Sequence, residues 1–305
     1  MKKFSFALVV LMSLFFVGCN KDGDILVDNP SQEFPSDPEG EIDLGYSVLE
    51  YTPAPGQYIN DPANGSAGIN SPSEASEYAM TRLKKSQYVS LGAWGGYIVV
   101  KFSTSIENSG DYDFAIKSNS FETSNEPGIV WVMSDTNKNG LPDDEWYELK
   151  GSFFKGQGYE RNYWVTYQRP ENPGQPVKWT DKNGKIGEIQ WLGNYHSQDY
   201  YYPEWILEDS YTLYGSLLPD KAIQDDETGL WTNEPYEWGY ADNFGSDFIK
   251  DGFKNQFRIS DAVTSDNQAA VLSSIDFIKV QTAVLTNSGW LGEISTEVSG
   301  FFLLH

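Results

Sequence analysis

Tyr97-Ile98-Val99-Val100-Lys101-Phe102, Gly128-Ile129-Val130-Trp131-Val132-Met133, Tyr163-Trp164-Val165-Thr166-Tyr167 and Ile275-Asp276-Phe277-Ile278-Lys279-Val280 are runs of β-branched and aromatic residues. Such side chains pack well on a pleated surface, so each run predicts a strand. Gly, Asn, Asp and Pro bound them, and those residues supply the backbone angles that turns require. Between Val177-Lys178-Trp179 and Ile186-Gly187-Glu188-Ile189 stands Asp181-Lys182-Asn183-Gly184, whose Asn-Gly pair predicts a hairpin turn. Many strands at short spacing predict an all-β chain, a jelly-roll-like β-sandwich. One short helix is signalled by Ser71-Pro72-Ser73-Glu74: an N-cap serine, a proline at the first helical position and a glutamate three residues after the cap. Ala75, Tyr78, Ala79, Arg82 and Leu83 follow at helical spacing, and Lys84-Lys85 suits the C-terminal end of the helix dipole.

The N-terminus reads differently. Lys2 and Lys3 precede an apolar run from Phe4 to Val17, and the run ends at Gly18-Cys19, which holds the only cysteine of 305 residues. This layout predicts a lipoprotein signal peptide over 1–18 and lipidation of Cys19, with Phe16 standing where the usual motif has leucine. No later stretch approaches the roughly 20 apolar residues of a spanning helix, so the lipid is the expected anchor. Residues 19–45 carry Pro30, Pro35 and Pro38 among acidic residues and few apolar ones, the composition of a tether. A single ligand-binding domain is expected over 46–305, with a sub-lobe at about 151–240 formed by an aromatic-rich insertion of loops and strands.

Formal charge is −23 at pH 7. So acidic a surface repels phosphate backbones and anionic headgroups, which argues against nucleic-acid or peripheral membrane binding. Aromatic residues make up 15% of the chain, enough to supply both a core and stacking surfaces.

Asp135-Thr136-Asn137-Lys138-Asn139-Gly140-Leu141-Pro142-Asp143-Asp144 places side-chain oxygens at alternating positions and a glycine at the sixth. A hard cation asks for that pattern: Asp135, Asn137 and Asn139 turn inward, Leu141 offers its carbonyl, and Asp143, Asp144 or Glu145 adds a carboxylate. Trp146 occupies the twelfth position, where a bidentate glutamate would normally stand. The loop is therefore either a structural calcium site or a plain acidic β-turn.

Tyr195-His196-Ser197-Gln198-Asp199-Tyr200-Tyr201-Tyr202-Pro203-Glu204-Trp205 holds five large rings in eleven residues, and Trp231 and Trp238 follow in polar context. Flat rings beside amides and carboxylates suit sugars or a large planar ligand. Tyr195, His196, Tyr200, Tyr201, Tyr202, Trp205, Trp231 and Trp238 are the candidate ligand-binding residues, although any single ring is more often a packing residue. Catalysis is poorly supplied. His196 and His305 are the only histidines, no Gly-x-Ser-x-Gly elbow exists, and nothing singles out a carboxylate pair among 44 acidic residues. A non-enzyme is expected, with no redox or organic cofactor.

Several ordered blocks carry a resemblance: Val89-Ser90-Leu91-Gly92-Ala93-Trp94-Gly95-Gly96-Tyr97, Glu126-Pro127-Gly128-Ile129-Val130-Trp131-Val132, Asp135 to Glu148, and His196-Ser197-Gln198 with Tyr202-Pro203-Glu204-Trp205. Trp238-Gly239-Tyr240, Asp276 to Val280, and Gly289-Trp290-Leu291-Gly292-Glu293-Ile294-Ser295-Thr296-Glu297 complete the set. Over roughly residues 48 to 300 the chain resembles Bacteroidetes "cell surface protein" lipoproteins that accompany TonB-dependent cobalamin (vitamin B12) uptake. Lys21-Asp22-Gly23-Asp24 is similar to the acidic export tag of surface lipoproteins in that group. The resemblance implies an outer-membrane lipoprotein facing the medium, capturing a corrinoid for a TonB-dependent transporter. A glycan-binding lipoprotein and an adhesin or scaffold docking a transporter are the alternatives.

Overall fold

The computed structural model describes residues 45–305. The signal segment, Cys19 and the tether up to residue 44 lie outside the described residues, which belong to one compact unit, Glu39–His305.

In chain order the elements are β1 (Tyr46–Thr52), α1 (Pro72–Lys84), β2 (Val89–Ser90), β3 (Tyr97–Glu107), β4 (Phe114–Lys117) and β5 (Gly128–Met133). Then come β6 (Tyr147–Leu149), β7 (Glu160–Gln168), β8 (Val177–Asp181), β9 (Ile186–Ile189), β10 (Ser210–Leu217), β11 (Ala222–Gln224) and β12 (Trp231–Asn233). β13 (Phe248–Ile249), β14 (Lys254–Phe257), β15 (Ala262–Val263), β16 (Ser274–Thr282), β17 (Glu297–Val298) and β18 (Gly300–Leu303) complete the chain. The central sheet has the order β1-β3-β16-β5-β6-β15, and two four-stranded sheets run β13-β14-β4-β18 and β10-β7-β8-β9. Two short ribbons, β11-β12 and β17-β2, complete an all-β, sandwich-like fold in which every paired strand is antiparallel.

The sandwich follows from side-chain alternation. Ile98, Val100, Phe102 and Ile106 on β3 share one face, and with Val130, Val132 and Tyr46 they pack against Phe114, Ile116, Phe257 and Phe301 of the β13-β14-β4-β18 sheet. Tyr46 meets Phe301 edge-on at 5.4 Å. Each such side chain, fully buried, stabilises the fold by about 2 kcal/mol relative to exposure. On β16 both Ile275 and Ile278 enter this core, although an odd separation should send them to opposite faces. A register shift between Ile275 and Phe277 resolves the conflict. The bulge leaves Asp276 free, and its carboxylate accepts the Asp135 N–H at 2.7 Å and the Ser105 hydroxyl at 2.5 Å.

α1 begins where its cap predicts. Ser71 Oγ accepts the Glu74 N–H at 3.2 Å, Glu74 reaches back to the Asn70 N–H at 2.8 Å, and Ala75, Ala79 and Leu83 form the buried stripe. The Asn183-Gly184 turn closes β8 on β9. Gly184 takes φ +76°, and Asp181 Oδ1 accepts the N–H groups of Asn183 and Lys185 at 2.8 Å each.

Residues 160–217 contribute a sheet with a core of its own. Tyr163, Val165, Tyr167, Trp179 and Leu213 pack with Trp94, Tyr201 and Tyr202. The join to the rest is close: Tyr167 donates to the Trp94 carbonyl at 2.8 Å, and Gln281 Nε2 donates to the carbonyls of Gly95 (2.8 Å) and Tyr214 (2.9 Å). Beside it the segment around Ala54 crosses the segment around Gly92, with Ala54 N–H donating to Leu91 O at 3.0 Å and Ala93 N–H to Pro55 O at 3.1 Å. Gly92 has φ +71°, and a Cβ there would stand 2.0 Å from Ala54 O. Only glycine fits the crossing.

Candidate functional site

α1 lies against β1, an edge strand of the central sheet, and between them runs an open groove of about 860 Å3. Ligand clefts commonly fall in the range of roughly 300–1,000 Å3. β1 and α1 supply the walls: a register shift between Val48 and Glu50 turns Val48 toward the core and Glu50 to the other face, and Ser73, Glu77, Met80 and Thr81 of α1 line the groove with them. Tyr97 closes one end, its hydroxyl donating to Glu50 Oε2 at 3.0 Å. Burial raises the Tyr97 hydroxyl to about 12, with the Glu50 charge adding to the effect. The groove offers apolar contact beside hydroxyl and carboxylate groups.

Glu50 also begins a row across the second face of the central sheet, opposite that core. Register pairs it with Val99, Val99 with Lys279, Lys279 with Trp131 and Trp131 with Glu148. The Lys279 ammonium lies 4.8 Å from the ring centre of Trp131, 5.0 Å from that of Trp146 and 5.8 Å from that of Tyr97. Burial pushes it down to about 8, against the pull of Glu50 and Glu148; the ring faces also favour the charged form. Glu148 is held by the Tyr159 hydroxyl (2.7 Å), the Ser216 hydroxyl (2.6 Å) and Arg161 (3.5 Å). A lysine inside each apolar run, Lys101 in β3 and Lys279 in β16, was the available sequence signal that this second face carries charge. The groove itself had none, because α1 and β1 meet only in the fold.

The Asp135 loop is a tight turn closed by its own side chains. Asp135 accepts the N–H groups of Asn139 (3.0 Å) and Gly140 (2.9 Å), and Lys101 Nζ stands 3.8 Å from Asp135 Oδ2. Asn137 Oδ1 accepts Asn139 N–H at 3.0 Å, and Asn139 Oδ1 accepts Leu141 N–H at 2.7 Å. Both amide nitrogens donate to Asp143 at 2.9 Å, which holds its carboxyl below the ordinary range, while Asp144 accepts from the Thr136 N–H at 3.0 Å and from its hydroxyl. The Leu141 side chain is exposed. Asp135, Asn137, Asn139 and Asp143 thus share one turn, with the Asn amide nitrogens rather than oxygens toward Asp143.

Burial divides the aromatic candidates. Tyr201 and Tyr202 are 0% exposed and Trp205 4%, so these three are packing residues and not the ligand-facing rings expected from sequence. The physical reason is hydrogen bonding at the ring tips, which lets tyrosines sit in a core. Tyr201 donates to His196 O at 3.0 Å, and Tyr202 donates to Glu208 O at 2.8 Å under the Arg169 guanidinium, 4.5 Å from the ring centre. Tyr195 is exposed. Beside it His196 meets the Tyr58 ring edge-on at 4.7 Å and brings Nδ1 to 3.5 Å from Asp61 Oδ2. Tyr200 is half-buried, with its carbonyl accepting from Asn60 Nδ2 at 2.9 Å. Trp231, on β12, is half-buried against Gly289, and half-buried Trp238 belongs to a turn whose N–H donates to Ser152 Oγ at 3.2 Å. The fold therefore does not gather the eight candidates into one surface.

A scan of the chain against models of protein families finds no match, and a search of curated proteins finds none either.

Proposed function

We propose that this chain is a non-catalytic lipoprotein that captures a broad, polar-rimmed organic ligand at the cell surface and delivers it to a TonB-dependent transporter. The observation that carries the proposal is the open groove between β1 and α1, whose volume and mixed apolar and polar walls suit a flat ligand fringed with amides. A corrinoid is the favoured cargo, and for that the resemblance of the ordered sequence blocks is the support. Anchoring through Cys19 would leave the domain facing the medium. Titration of the purified protein with cyanocobalamin, followed by calorimetry and by the corrin absorption bands, tests it. Saturable binding is expected, with a loss of tenfold or more in Thr81→Trp, which fills the groove from an exposed helical position. No heat and no spectral change at high micromolar ligand refutes the corrinoid.

A glycan is the second reading, and the exposed Tyr195 next in sequence to His196, whose ring meets Tyr58, is the observation that favours it. Sugar binding on a glycan array that Tyr195→Ala removes and Thr81→Trp preserves would establish it instead.

A further inference from the structure

Glu126, Asp242 and Glu297 come from three separate stretches, and their carboxylates bring oxygens within 4.8 Å of one another. Backbone bonds fasten the three stretches together. Glu126 N–H donates to Asp242 O at 3.0 Å, Glu297 N–H donates to Asp242 Oδ2 at 2.9 Å, and β17, which carries Glu297, pairs with β2. Asp242 is 0% exposed and Glu297 6%. Ser295 N–H donates to Glu126 Oε1 at 3.0 Å and Asn119 Nδ2 to Glu297 Oε2 at 3.3 Å. Two carboxylate oxygens in the cluster, Asp242 Oδ1 and Glu297 Oε1, are buried with no hydrogen-bond donor among the described residues.

A buried acceptor without a donor costs about 1–3 kcal/mol, and more when it is charged. Three acids so close cannot all ionise in a dry site without a counter-charge. Burial raises all three carboxyls, repulsion from Glu297 adds to it at Glu126 and Asp242, and the leading influences on them include no basic group. Protons can relieve part of this, since Glu126 and Glu297 lie close enough to share one. A shared proton still supplies no counter-charge for Asp242. One oxygen from each carboxyl lies within 4.8 Å of the others, and ligands at roughly 2.3–2.6 Å from one ion lie within about 5 Å of each other, so a single cation would supply the missing counter-charge.

We propose that Glu126, Asp242 and Glu297 hold a divalent cation of the hard, oxygen-preferring class, with calcium the best fit, as an internal clasp between β17 and the loops before β5 and after Ala241. The donor set is all oxygen, with no histidine or cysteine, which favours a hard cation over zinc. Calcium tolerates irregular geometry and nearly complete dehydration, whereas magnesium holds its waters and demands an octahedron. The Ser90, Ser118 and Ser295 side chains, which bear on the same carboxyls, are available as neutral partners.

The test uses the purified chain stripped with chelator, in the Asp135→Asn background so that the Asp135 loop does not report. Calcium is expected to bind with measurable heat, to raise the melting temperature, and to compete with terbium whose luminescence is sensitised by nearby tyrosines. Adding Asp242→Asn or Glu297→Gln should weaken calcium binding roughly tenfold or more, since charge count sets affinity. Both changes remove a buried charge, so the metal-free variants should melt no lower than their parent. A variant that fails to fold shifts the decision to terbium and calcium binding by the Asp135→Asn parent alone. Absence of calcium heat and of terbium luminescence in that parent, or an unchanged calcium response in the triad variants, overturns the proposal and leaves a proton-sharing acid cluster.

Discussion

Gly92→Ala should cost far more than a helix or loop glycine normally does, and a second glycine calibrates the excess. At Gly92 φ is +71° and a new Cβ would stand 2.0 Å from Ala54 O and 2.8 Å from Ala54 C, both backbone atoms that cannot rotate away. At Gly184 φ is +76° with nothing within 4 Å of the added atom. Both substitutions incur the left-handed backbone penalty of about 1–2 kcal/mol. Only Gly92→Ala must also push the crossing segments apart, loosening the Ala54–Leu91 and Ala93–Pro55 hydrogen bonds, each worth about 0.5–1.5 kcal/mol. The total for Gly92→Ala is about 2–5 kcal/mol, against about 1–2 for Gly184→Ala. A domain of this size shifts its melting temperature by about 2–4 °C per kcal/mol. Gly92→Ala should therefore melt roughly 4–20 °C lower and Gly184→Ala only a few degrees lower, with urea midpoints following the same order. Equal effects for the two glycines would refute the crossing as the source of strain.

Glu293 is 3% exposed, and burial raises its carboxyl to about 8 from 4.5. An acid whose folded value lies above its unfolded one destabilises the fold only where the unfolded chain ionises. The penalty is absent below pH 4.5, grows as pH rises and is complete above about 8. In chelator, Glu293→Gln should thus be more stable than the parent by about 3 kcal/mol at pH 7, and the two should converge near pH 4.5 in urea titrations; a gap independent of pH would count against it. Lys279→Met should stabilise the fold at pH 7, with the gain shrinking as pH rises through 8 toward 10.5, because a buried ammonium is penalised only while charged. A gain unchanged across that range would show that the rings fully offset burial. Tyr201→Ala should cost about 3–5 kcal/mol in unfolding free energy, and ligand affinity measured below the melting transition should hold. A selective loss of affinity would place Tyr201 at the binding surface after all.

Much of the architecture is legible in short stretches. The β-branched runs became β3, β5, β7 and β16, Ser71 capped α1 as its neighbours required, and Asn183-Gly184 turned β8 into β9. These features obey rules that span a few residues, so sequence alone determines them. The bulge at Asp276 escaped, because its cause is the need to bury both Ile275 and Ile278 in a core built by distant strands.

The sites were less legible for the same reason. The alternating oxygens of the Asp135 loop are a local pattern, and the fold keeps them in one turn. The aromatic stretch from Tyr195 to Trp205 is local too, but which ring faces water depends on what packs above it. Asn60, Glu208 and Arg169 helped decide that for Tyr200 and Tyr202. The groove, the aromatic surroundings of Lys279 and the meeting of Glu126, Asp242 and Glu297 exist only through long-range register. Sequence determined which segments become strand, turn or helix, because backbone sterics and side-chain period act over a few residues. Tertiary structure alone decided which side chains share a cavity or lose their water, because those depend on partners that strand pairing brings from far along the chain.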